Sequence, residues 1–105
     1  MISVELLKEK DDFKGFKIKG HANSNIYGKD IVCAAVSILS VTCVNTLDYY
    51  NEKFKFNDNG KIMELLILNP NKNTQVILKN FEIGILSLLE NKEYSKYIVL
   101  NTMEV

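Results

Sequence analysis

Apolar and polar residues alternate with a period of two at the start of the chain. Ile2, Val4 and Leu6 face one way and Ser3 and Glu5 the other, the pattern of a strand with one buried side. Asp11 and Asp12 interrupt it. Phe16 and Ile18 then alternate with Lys17 and Lys19, which predicts a second strand running out at Gly20 and His21. Residues 22–29 are polar and without a period, and read as a loop. From Asp30 the period changes. Ile31, Ala35, Ile38 and Thr42 form one helical row, with Val32, Val36, Leu39 and Cys43 beside it, and Leu47 and Tyr50 continue the stripe. Asp30 stands directly ahead of that stripe, where an N-cap belongs.

The second half repeats the plan. Phe54 and Phe56 alternate with Lys53 and Lys55, and Asn57-Asp58-Asn59-Gly60 spells a hairpin turn. The next strand is apolar on both faces around Leu65 and Leu68, as a central strand would be, and Pro70 closes it. Asn73 or Thr74 caps a second helix, whose stripe is Leu78, Phe81, Ile85 and Leu88, and a last strand occupies residues 97–105. The order ββαββαβ predicts an α+β fold. Two helices pack on a mostly antiparallel mixed sheet, in a single two-layer domain over residues 1–105.

Charge narrows the function. The 105 residues carry 13 bases against 13 acids, and every base is lysine. Recognition of a phosphate backbone favours a basic excess and arginine forks, so direct nucleic-acid binding is not expected. The N-terminal residues reach charge at Glu5 without an apolar core, which argues against a signal peptide. The apolar run 31–44 is too short to span a bilayer. The expectation is a cytoplasmic protein without a membrane partner. Cys33 and Cys43, ten residues apart on one helix, would lie about 15 Å apart along its axis. A disulfide needs Cα atoms within about 7 Å, so both should be free thiols.

Reactive residues are few. His21, the single histidine, falls at a strand end, and Cys33 falls three residues after the expected cap, in the first helical turn. Unpaired N–H groups and the helix dipole favour negative charge there, which would promote the thiolate and offer oxyanion donors. An imidazole is the usual partner of such a nucleophile, and the eleven residues between the two can bring them together. No cofactor is implied. One histidine and two cysteines so placed form no closed metal-ligand set, and Gly28-Lys29-Asp30 lacks the spacing and ending of a phosphate loop.

The segment GHANSNIYGKDIVCAAVS, residues 20–37, resembles the signature of the ribosomal-processing cysteine proteases, the Prp or YsxB-like family. Gly20, His21 and Ala22 match its G-H-A opening. Gly28, Asp30, Ile31, Val32, Cys33, Ala34, Val36 and Ser37 match its G-x-D-I-V-C-A-x-V-S run. Asn23 departs from it, standing where a small residue is usual. Chain length and element order are similar as well.

The resemblance implies a cytoplasmic endopeptidase that removes the short N-terminal extension of a large-subunit ribosomal protein precursor, cutting after an aromatic pair. It implies Cys33 as nucleophile and His21 as general base, then general acid. Asp30 either orients His21 or caps the helix. Gly20, Ala22, Asn23, Tyr27 and Gly28 belong to a substrate-gating loop with glycine hinges, and the family's homodimer is expected too.

Taken singly, Cys33 would read as a small apolar helix residue and His21 as a strand-end histidine; the complete motif reverses both readings. For Cys43, in mid-stripe, the packing reading stands. Lys14, Lys17 and Lys19 read as a solvated strand face. Two further readings carry the same residues: a non-enzymatic ribosome-associated binding module, and a thiol-redox protein using Cys33.

Overall fold

The computed structural model describes residues 1–20 and 27–105, with the backbone alone at 27–29. Its elements run β1 (Ile2–Glu9), β2 (Asp12–Lys19), α1 (Tyr27–Tyr49), β3 (Phe54–Asp58), β4 (Ile62–Ile67), α2 (Lys72–Leu89), a 3-10 turn at Tyr94–Tyr97, and β5 (Ile98–Glu104). The five strands form one sheet in the order β3-β4-β2-β1-β5. Every neighbouring pair is antiparallel except β1 with β5, which is parallel. The fold is the α+β arrangement the alternation predicts.

The registers explain the core. Phe56, Leu65, Phe16, Leu6 and Thr102 form one row across all five strands. Its three central members are fully buried, and Phe81 of α2 stacks on Phe16 with ring centroids 4.5 Å apart. One step along, the row Asn57, Glu64, Lys17, Glu5 and Asn101 lies on the opposite face. There Lys17 pairs with Glu64 at 3.2 Å, and Lys19 reaches Glu5 at 3.9 Å. Helices cover the first face; the second is the solvated one the strand lysines predicted. β4 departs from expectation, since Leu66 and Leu68 are exposed on the open side and only Met63, Leu65 and Ile67 are buried. A continuous apolar run reports composition, while the pleat still turns alternate residues outward.

α2 is tied down at its start. Asn71, between Pro70 and the helix, is the N-cap. Its side chain accepts from the Thr74 N–H at 3.1 Å, and its own N–H donates to the Thr74 hydroxyl at 2.9 Å. This corrects the cap from Asn73 or Thr74: Thr74 is the other half of the capping box. Glu52, ahead of β3, braces this start by accepting from the side-chain amides of Asn71 at 2.7 Å and Asn73 at 3.4 Å. Farther along, Gln75 accepts from the Phe13 N–H at 2.6 Å and donates to the Phe13 C=O at 3.0 Å, fastening α2 over β2.

α1 corrects the sequence in two ways. Its buried row is Val32, Val36, Ser40, Cys43 and Leu47, whereas Ile38 is 62% exposed and Thr42 and Tyr50 are exposed too. The helix is apolar nearly all round, so periodicity alone does not select the face. Ser40 enters the core because its hydroxyl donates back to the Val36 carbonyl at 2.6 Å. The helix also outruns the apolar segment. The 20 residues Asp30–Tyr49 contain an 18-residue window with a mean hydropathy of 1.8, long and apolar enough to cross a bilayer by length and composition, against the shorter run read from sequence. In this fold one side of that stretch is instead packed into the core.

Candidate active site

β2 delivers the chain to Gly20, whose φ is +77°. A Cβ there would lie 2.4 Å from the Met1 carbonyl oxygen. Left-handed backbone and close approach both demand glycine, which gives the motif's opening glycine a physical reason. The chain must turn sharply beside the first residue of β1 immediately before the histidine. His21, Ala22 and Asn23 lie outside the described residues.

The chain returns as α1, already helical at Tyr27. Tyr27, Gly28 and Lys29 are therefore helix and not loop, and Gly28 is no loop hinge. Asp30 is likewise not the N-cap: it is an exposed acid inside the first turn. The apolar stripe records a buried face, which does not mark where a helix begins. Asp30 keeps its electrostatic reason for being there, since a negative charge in the first turn suits the dipole.

Cys33 moves with this correction. It sits six residues past Tyr27, in the second turn, whereas the unpaired N–H groups belong to the first four residues. The oxyanion donors expected at Cys33 are a turn too early in the chain. The Cα–Cβ bond of a helical residue tilts toward the N-terminus, so the thiol still leans back over the turn that holds Asp30.

Cys33 is half-buried and packs against the edge of the core. At ~100° per residue it shares a flank of α1 with Ser37 and Val44, and Thr42 lies about half a turn round from it. The Thr42 side is the one that meets α2. There Leu39 touches Gly84 so closely that a Cβ on Gly84 would come within 2.6 Å of it. A groove of about 360 Å³ opens on that side, with Ile38, Thr42 and Thr46 facing Val76 and Asn80. Cys33 therefore lies on the flank turned away from α2.

Cys43 lines that interhelical groove and is buried. Burial pushes its thiol up to about 12, so it stays protonated at neutral pH. Both cysteines are free, as their spacing along one helix required. The 3-10 turn before β5 also packs against α1. Tyr94 and Tyr97 of that turn press on the core. The sequence gives no sign of this turn beyond two tyrosines three apart.

The family model of the cysteine protease Prp matches residues 1–99. Among solved structures, the ribosomal processing protease Prp of Staphylococcus aureus in complex with a substrate peptide superposes with a TM-score of 0.87 at 27% identity, over 98% of this chain and 100% of that one. The same protease with a covalently linked product peptide gives 0.83 at 29%, over 98% and 100%. SMU.848 of Streptococcus mutans gives 0.82 at 27%, over 100% and 99%. No curated protein matches the sequence.

Proposed function

The chain belongs to the cysteine protease Prp family and is a cysteine protease, and on that premise we propose that it processes a ribosomal protein. The substrate is a large-subunit ribosomal protein precursor, from which the enzyme removes a short N-terminal extension, cutting after an aromatic pair. The observation that carries this reading is the likeness, over nearly the whole chain, to a ribosomal processing protease held with its substrate and with its covalently linked product. Work on a ribosomal precursor places the protein in the cytoplasm, and it acts as a homodimer.

Cys33 is the nucleophile and His21 its proton carrier. His21 takes the thiol proton, and the Cys33 sulfur attacks the scissile carbonyl carbon. The tetrahedral intermediate collapses as imidazolium gives its proton to the leaving amine, leaving a thioester. Water, relieved of a proton by His21, then releases the extension and regenerates the thiol. Every second proton transfer returns His21 to its starting state, so no cofactor is consumed. Gly20 turns the chain at the base of the segment that carries His21, and Asp30 presents a carboxylate one turn before the nucleophile.

The test is direct. A peptide spanning the extension and the first mature residues of the host's own ribosomal protein is incubated with the protein, and the products are weighed by mass spectrometry. One cut, absent with Cys33→Ala, is the expected result. An intact peptide that still binds would make the chain a binding module.

A further inference from the structure

We infer that the outward face of the α1–α2 layer is the dimer interface, covered by the same face of a second copy across a two-fold axis. This rests on the homodimer reading above and names the surface that makes the pair.

α1 is more apolar than one chain can use. No charge falls between Asp30 and Asp48, yet only 28% of the helix's most apolar 18-residue window is buried within the fold. A surface helix ordinarily puts charge on the side turned from its core. Here that side carries Ile38, Thr42, Asn45 and Tyr49, spaced three and four apart on one stripe, and all four are exposed. α2 lays a second exposed, uncharged stripe beside it: Val76, Asn80, Ile83 and Ser87. The two stripes meet at the interhelical groove, where Ile38 and Val76, each 62% exposed, stand on either side. Charge on α2 sits on its other flank, where Lys79 pairs with Glu82 at 2.7 Å and reaches over the Phe13 ring.

The size of the face suits a second copy. The 23 residues of α1 and 18 of α2 run about 35 and 27 Å. Side by side they present roughly 30 by 20 Å, on the order of 600 Å² in plan and more in accessible area, against ~800 Å² per partner in a stable complex. An uncovered apolar patch of that extent is unusual on a monomer.

Composition points to the same occupant. The polar members of the two stripes are Thr, Asn and Ser, each with both a donor and an acceptor. Such a patch can satisfy itself when a two-fold sets it against its own copy, which lysines or carboxylates could not do. A bilayer surface fits less well, because helices that lie on one carry cations along the polar face, whereas Asp30 and Asp48 bound this apolar stretch. Apolar ridges at Ile38 and Val76 would enter the partner's groove. Cys33 lies about half a turn round α1 from Thr42, so this pairing leaves both nucleophiles uncovered.

Sedimentation velocity on the full chain tests this, with cutting of the extension-spanning peptide followed alongside. The protein should sediment as a dimer, twice the 12.0 kDa of the chain. Ile38→Glu and Val76→Glu, made separately so that each checks the other, should each weaken dimerisation at least a hundredfold while the far-ultraviolet circular dichroism stays unchanged. Val99→Lys, on the edge strand β5, should leave the dimer intact. A dimer that survives both face substitutions, or one lost only with Val99→Lys, overturns this interface and leaves the homodimer reading standing. A monomer that still cuts the peptide overturns the homodimer reading and the interface together, and leaves the protease reading standing. A monomer that binds vesicles of phosphatidylcholine and phosphatidylglycerol through Ile38 and Val76 would give the face to a membrane and overturn the pairing.

Discussion

Ten residues along α1 separate Cys33, half-buried on the flank turned from α2, from Cys43, which is 5% exposed and lines the interhelical groove. The helix, the residue type and the polypeptide direction are the same. What differs is the medium. Around Cys43 the apolar groove penalises the thiolate and raises the thiol toward 12; Cys33 sits at the core's rim beside polar Ser37, a turn past an exposed carboxylate. Chemistry follows from that difference: one thiol fills space and the other is open to a partner. A cysteine's meaning is set by where its helix turns it.

The widest separation between the two should come from paired alanine variants. Cys33→Ala should lower turnover of the extension-spanning peptide by at least ~10³-fold with little change in stability, because its side chain only borders the core. Cys43→Ala should do the reverse: turnover unchanged, and a stability loss of about 1–2 kcal/mol from the vacated space, read by denaturant titration. Equal losses of turnover would erase the distinction.

Alkylation sharpens it. Iodoacetamide at neutral pH should modify Cys33 in the native protein well before Cys43, as peptide mapping would show. Equal rates would mean that α1 opens freely to solvent. Stability should carry a matching signature. The neutral Cys43 thiol is favoured by folding, so its contribution is complete below about pH 9 and is lost as pH rises toward about 12. That loss has a slope of up to ~1.4 kcal/mol per pH unit, and Cys43→Ala should lack it. The smallest effect belongs to Asp30. As a first-turn acid it should cost less than about 1 kcal/mol on conversion to alanine. A fall in turnover larger than that loss explains would assign it to orienting His21.

Much of this was legible in the sequence, for a physical reason. Alternation over Ile2 to Leu6 and Phe16 to Ile18, and the stripe Leu78, Phe81, Ile85, record burial directly, and burial is what those elements are for. Boundaries were less legible because other forces set them. Asn71, Asn73 and Thr74 are all competent caps, and the reciprocal bonds between Asn71 and Thr74 settle which one is used. α1 is already helical at Tyr27, ahead of the stripe that the periodicity follows. Within α1, Ile38 and Val36 look equally suited to the core, and only the position of the sheet sends Val36 inward. Cys33 could be singled out as a candidate because its motif is local. The flank it occupies depends on how α1 is turned against α2, which no short motif records.

The parallel pairing of β1 with β5, Ile2 opposite Ile98 through Lys8 opposite Glu104, also dictates when the protein can become itself. β1 is synthesised before every other strand described, and one side of it has no partner until residue 98 and beyond exist. At roughly 5–20 residues per second, the intervening chain takes on the order of ten seconds to make. During that time the nascent chain carries Cys33 on a sheet it cannot complete. Closure of this last, most distant pairing is the slow kind of step in folding, and a chain cut short of Ile98 would be left with β1 as a bare, pairing-competent edge.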